Sequence, residues 1–351
     1  MKKQSILTLI TLALLLIISC KKKSDPEPEP TPVIPGKDYY AVGEESNAAG
    51  KYVLKYWKNG VATNITDGTQ NSYSTSIFVT NTEVLIAGFD NNGTKDVAKL
   101  WRNGVPTILV NTSNTTVTNK IFVSGSDVYV TIKEVIAGTP NGLIHLWKNG
   151  TLTNITDGSL PTIISGLFVN GTDVYVAFSE YVASHGTYRA KLWKNGTVTN
   201  LTSGLYTAFT AGVSVVGNDV YVAVKEQETT GQYKIRLWKN GSYTDITDGL
   251  INADVRDIAV VGNDVYLIGW EATTTGSIGK LWKNGVATNL TSGTSQTGLW
   301  GIASNGTDVF VGGHERVGLT ANYIAKIWKN GTLTNLTNGT GYSNVEAVFI
   351  K

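Results

Sequence analysis

Asp254, Arg256 and Asp257 stand in one short stretch of this chain, and Trp300 and Glu346 follow 44 and 90 residues after Arg256. Trp270 and His314 fall between them. An aromatic ring brought beside carboxylates and a guanidinium suits a sugar or peptide ligand, because the charges hold polar edges while the ring covers an apolar face. The alternative is that Trp300 packs in the interior and the charges are solvated. Catalysis has less to build on. His145, His185 and His314 lie far apart without metal-ligand spacing. Neither a Gly-x-Ser-x-Gly element, a phosphate loop nor a His-Glu-x-x-His motif is present. We expect no metal and no cofactor.

Residues so far apart need a scaffold that returns the chain to the same place at regular intervals. Seven times the chain spells Trp-Lys-Asn-Gly or Trp-Arg-Asn-Gly, opening at Trp57, Trp101, Trp147, Trp193, Trp238, Trp282 and Trp328. The intervals of 44 to 46 residues belong to tandem structural units. In the copy around Trp238, Val213–Val216, Val220–Val224, Lys234–Trp238 and Ser242–Thr247 each read as a strand. Asn240-Gly241 marks a type I′ hairpin, whose two central residues need positive φ. Leu237 and Trp238 must point to opposite faces, so both faces of the sheet need cover. Four antiparallel strands stacked radially satisfy that requirement. The first copy lacks its first strand, and Asn344–Ile350 supplies a first strand with nothing after it. The expected fold is all-β: residues 37–351 form a seven-bladed β-propeller whose C-terminal strand closes the N-terminal blade.

Each copy also carries an acid, Glu45, Asp90, Glu134, Glu180, Glu226, Glu271 or Glu315, and a base two residues before its Trp. Those bases are Lys55, Lys99, His145, Lys191, Arg236, Lys280 and Lys326. Cross-strand ion pairs explain them better than a sevenfold cation-binding ring. The turns between strands one and two and between strands three and four are nearly uniform and share one end of the ring. The opposite end varies. Immediately before the first strand the copies read Thr75, Asn119, Ser165, Ala211, Arg256, Trp300 and Glu346. Before each strand-ending acid they read Glu44, Phe89, Lys133, Ser179, Lys225, Trp270 and His314. Both sets are expected to ring the channel mouth, which selects Asp254, Arg256, Asp257, Trp270, Trp300, His314 and Glu346 as the candidate site.

The N-terminus has a separate logic. Lys2 and Lys3 precede an apolar run that ends at Ser19-Cys20, the layout of a secretory signal over residues 1–19. Cys20 is the single cysteine, which excludes a disulfide scaffold. Ile17-Ile18-Ser19-Cys20 resembles a bacterial lipobox, implying cleavage before Cys20 and lipidation of its thiol. Prolines at 26, 28, 30, 32 and 35 make residues 20–36 an extended tether of roughly 50 Å, at about 3.1 Å per residue. Removing Lys2 and Lys3 from 29 basic residues leaves 27 against 27 acidic ones. That balance argues against nucleic acid as a partner.

The charged tether and the Trp-Lys-Asn-Gly repeats together resemble repeat lipoproteins of the Bacteroidota, over residues 38–351. The resemblance implies an outer-membrane lipoprotein on the cell surface, with the periplasmic face as the alternative. We expect a monomeric, non-catalytic recognition or scaffold module binding a glycan, peptide or partner protein on its variable end. Some propeller families gather acids at the channel mouth, so the alternative is a hydrolase or lyase acting there on a polysaccharide.

Overall fold

The Asn-Gly dipeptides make the turn they predict. In all seven copies Asn and Gly both adopt positive φ, the asparagines between 46° and 50°. Asparagine tolerates this left-handed region because its side chain bonds locally, and here each one also crosses to the neighbouring turn. Its Oδ1 accepts the backbone N–H that opens the second strand, as Asn195 does from Val174 and Asn240 from Val220. In six copies its Nδ2 donates to an aspartate of the other turn, as from Asn240 to Asp219. The lysine or arginine of the motif pairs with the acid of that same turn in every copy, from Lys58 with Asp38 to Lys329 with Asp308. The motif therefore ties the third-to-fourth turn of each blade to the residues that open its second strand.

A computed structural model describes residues 37–274, 276–316, 318, 320 and 322–351. The expected signal peptide, Cys20 and the tether, residues 1–36, lie outside the described residues. Twenty-eight strands form seven four-stranded antiparallel sheets. Blade 5 shows the pattern, with Ala208–Val216 inside, then Asp219–Gln227 and Tyr233–Lys239, and exposed Ser242–Asp245 outside. Blade 1 is made from both chain ends: Ser343–Ile350 pairs antiparallel with Tyr39–Ser46. The seven-bladed ring and its closure are thus as the split repeat predicts.

The cores lie in the seams between blades, and every repeat Trp fills one. Trp57 of blade 1 packs with Phe310, Ala325 and Ile327 of blade 7, and Trp101 of blade 2 packs with Val42 and Leu54 of blade 1. Leu237 and Trp238 serve opposite seams, between blades 5 and 6 and between blades 4 and 5. Strand alternation requires that division.

All seven acid–base pairs form across the second and third strands. Asp90 meets Lys99 at 2.6 Å, and Glu134 meets His145 at 3.0 Å. Six of the carboxylates are held in ion pairs by Lys or Arg, and Glu134 is held by the His145 ring.

Candidate functional site

The variable positions sit inside the strands, not before them. Each innermost strand is interrupted by a β-bulge: in six blades the one unpaired residue is the one the repeat alignment singles out, and in blade 3 Asn119 and Lys120 are both unpaired. Thr75 falls at the shift between Ser74 and Ser76, Ser165 between Ile164 and Gly166, and Arg256 between Val255 and Asp257. A bulge leaves a residue out of the ladder and re-aims its side chain. Repeated seven times, it turns Thr75, Asn119, Ser165, Ala211, Arg256, Trp300 and Glu346 into the lining of one cavity of about 440 Å³ at the end of the channel. The ring of variable residues at the mouth is real. Its members are held by sheet, so Asp254, Arg256 and Asp257 belong to the inner strand Ala253–Val261 and not to a crossing loop.

The second predicted set behaves differently. Of Glu44, Phe89, Lys133, Ser179, Lys225, Trp270 and His314, only Lys225 lines the cavity. Several of the others bridge to the next blade: Lys133 Nζ donates to the Thr162 carbonyl, and Ser179 Oγ accepts the Thr210 N–H. His314 holds the Asn344 side chain at 2.9 Å and packs against Tyr323 and Tyr342, and burial lowers its basicity. Trp270 pairs in register with Asp254. Trp270 and His314 do not line this cavity.

Within the cavity the charges are organised around Asp254. Its side chain is 4% exposed; Oδ1 lies 2.7 Å from Lys225 Nζ and Oδ2 lies 2.8 Å from Arg256 Nη2. Arg256 lies over the Trp300 ring with Cζ 4.8 Å from its centroid. Trp300 is half-buried, between the open ring and the interior packing that the sequence left as alternatives, and its Nε1 is buried without a hydrogen-bond partner among the described residues. Asp257 faces the other way. It meets Lys120 of blade 3 at 2.9 Å across the channel. Lys120 lines both the upper cavity and a second one of about 270 Å³, while Asp257 lines the second alone. This pair forms the floor.

Sequence reasoning missed Lys120, although a signal existed. The position after each bulge reads Ser76, Lys120, Gly166, Gly212, Asp257, Gly301 and Ala347. Five small residues and two opposite charges in one column imply that the two long side chains meet.

Glu346 is the remaining acid. Burial raises its carboxyl to about 7, against the pull of Asn344, Lys120 and Arg256. Glu44, fully buried behind it, is raised well above the carboxylate range by burial and by the charge of Glu346. The cavity therefore presents two cations fixed by one aspartate, an indole beneath one of them, and a carboxyl that exchanges its proton near neutrality. Among the described residues no group of three or more His, Cys, Asp or Glu side chains is placed to hold a metal.

No protein-family model matches the sequence, and no curated protein matches it. Solved structures share the fold at low identity. A puromycin-hydrolyzing peptidase of Mycobacterium tuberculosis superposes with a TM-score of 0.60 at 11% identity, over 87% of this chain and 52% of that one. The acylaminoacyl peptidase of Pyrococcus horikoshii gives 0.56 at 14%, over 86% and 51%. The β-propeller domain of the Trilobed protease from Pyrococcus furiosus gives 0.55 at 11%, over 87% and 93%. The chain spans about half the length of the two peptidases. That propeller domain has an open velcro topology, whereas here the two chain ends pair in one blade. Likeness at this identity speaks for the fold alone.

Proposed function

We propose that the chain is a lipid-anchored envelope protein, attached through Cys20 to the outer membrane, that recognises a glycan, peptide or partner protein at the upper cavity without turning it over. The observation that carries this reading is the asymmetry of the ring. One end repeats the same turns and ion pairs seven times, and the other places seven different bulge residues around a cavity. Binding groups concentrate where a rigid scaffold displays varied side chains.

The ends of the described chain fit a tether. Lys351 donates its N–H to the Asp38 carbonyl, and Tyr39 donates to Asn59 in an Asn-Gly turn. Residue 37 therefore lies at the uniform end of the ring.

Glycoside cleavage needs two carboxyls flanking the scissile bond. Asp254 and Asp257 are tied in ion pairs, and Glu44 does not line the cavity. Glu346 alone is unpaired, which supports binding over hydrolysis.

The test is thermal unfolding of the full chain in detergent, with panels of glycans and peptides. A ligand at 100 times its dissociation constant adds about 2.7 kcal/mol. A shift that Arg256→Ala removes, with the ligand-free melting point held, supports recognition at the cavity. A shift that survives this substitution, or no shift across the panels, refutes it.

A further inference from the structure

The arrangement around Arg256 narrows the ligand. A neutral sugar stacks on an open aromatic face, but the guanidinium already covers Trp300. A ligand entering the cavity meets that guanidinium. Asp254 occupies Nη2, and among the described residues Nη1 and Nε have no partner. Lys225 Nζ lines the same wall, fixed by the other oxygen of Asp254. Two cations thus share one buried countercharge. On the floor Lys120 and Asp257 cancel.

We propose that the cavity binds a carboxylate, gripped by the unoccupied edge of Arg256 with Lys225 beside it, on a ligand the size of one acidic sugar or one C-terminal amino acid. The inference rests on the recognition reading above and names its ligand class. A guanidinium fork matches a carboxylate bidentately, and backing by an aromatic ring keeps the fork planar and oriented. Charge balance separates a carboxylate from a phosphate dianion. With Glu346 protonated, three cations face two paired aspartates, leaving a single positive charge for a single negative one. Glu346 also offers its O–H to the ligand in that state.

The groups around Glu346 are Glu44 on Tyr39–Ser46, Lys120 on Thr115–Ser124, Arg256 on Ala253–Val261 and Asn344 on its own strand. A bound carboxylate adds a negative charge to this set and holds the proton on Glu346. Carboxylate binding is then coupled to proton uptake, and affinity falls as pH rises through neutrality.

The experiment is calorimetric titration of the full chain in detergent at pH 6 and pH 8. The probes are galacturonic acid against galactose, and alanyl-phenylalanine against its C-terminal amide. The expected result is that at least one acid binds while its neutral counterpart is at least about tenfold weaker. Affinity should drop about tenfold from pH 6 to pH 8, and Glu346→Gln should remove that dependence. Arg256→Lys keeps a positive charge but not the fork, and should still weaken the acid about tenfold or more. Which acid binds identifies the source of the carboxylate. If neutral probes bind as well as acids, the carboxylate assignment fails and recognition at the cavity survives. If galactose or the amide binds and neither acid does, the assignment fails in the same way. If no probe binds up to about 10 mM, the carboxylate assignment is overturned, while the broader panels decide the recognition reading.

Discussion

Replacing Glu346 by Gln should make the protein more stable at pH 8 and leave it unchanged near pH 4. The carboxyl has an ordinary value of 4.5 and is held at about 7 in the fold, chiefly by burial. Below 4.5 it is protonated in both folded and unfolded chains and contributes nothing. As pH rises, the unfolded chain loses the proton first, so stability falls from about pH 4.5 and levels off above about pH 7. The displacement is roughly 2.5 units at 1.36 kcal/mol each, a penalty of about 3 kcal/mol at pH 8. Gln keeps an oxygen to accept from Asn344, as Glu346 does, and carries no proton to lose. It also removes the charge that helps raise Glu44, so Glu44 adds to the gain. The assay is the urea midpoint at pH 4, 5, 6, 7 and 8 for both proteins. The two curves should diverge above pH 5 and stay apart above pH 7. Aspartates at the uniform turns, lowered by hydrogen bonds from their lysine and asparagine partners, act below pH 4 and cancel in the difference. Parallel curves from pH 5 to 8 would refute the reasoning, because Glu346 would then ionise alike in both states.

Three further substitutions separate the roles assigned above. Lys191→Met breaks one of seven repeated pairs, with both partners 17% exposed, and should cost only about 0.2–1 kcal/mol in urea unfolding. Lys120→Met strands Asp257, whose side chain is 12% exposed, and should cost about 1–3 kcal/mol. Adding Asp257→Asn should recover part of that loss, giving a non-additive double-mutant cycle. Asn195→Ala removes a residue suited to its φ of 46° together with bonds to Val174 and Asp173. It should cost about 1–2 kcal/mol, and Asn195→Gly less, since glycine keeps the turn conformation and loses only the bonds.

The blade was legible because its signals are local. Asn-Gly states a turn type, the Leu237-Trp238 step states two buried faces, and the split repeat states a closed ring. The inner strands were read short for a physical reason. Alternation starts at Val213 in the sequence, but the strand begins at Ala208, and the bulge at Ala211 shifts the phase between the two parts. A strand whose period slips by one residue reads as a loop upstream of the slip. The same bulges carry the site, so the positions were found and their backbone setting was not. Lys225 lines the cavity from the same register column in which Trp270 and His314 do not, a difference between side chains that the repeat pattern alone does not carry. The stacking of Arg256 on Trp300, and the meeting of Lys120 with Asp257 over 137 residues, required the ring itself.

The two ends of the ring also differ in how their charges relate to stability. At the uniform end acids and bases are matched within each blade, and every copy repeats the arrangement, as expected of groups that maintain a fold. At the cavity end a single buried aspartate faces two cations, and two buried carboxyls are pushed up by burial, Glu44 also by the charge of Glu346. No blade needs these groups to form its ladder or its seam, since the other copies carry Thr75, Ser165 or Ala211 at the same bulge. Burying the Glu44 and Glu346 carboxyls lowers stability at neutral pH. A seven-seam ring tolerates that loss because its cores lie between the blades, away from the channel. Charged groups that the scaffold does not require and that weaken it belong with perturbed functional sites. That contrast within one chain is the physical ground on which we propose recognition at Arg256, Trp300 and Glu346.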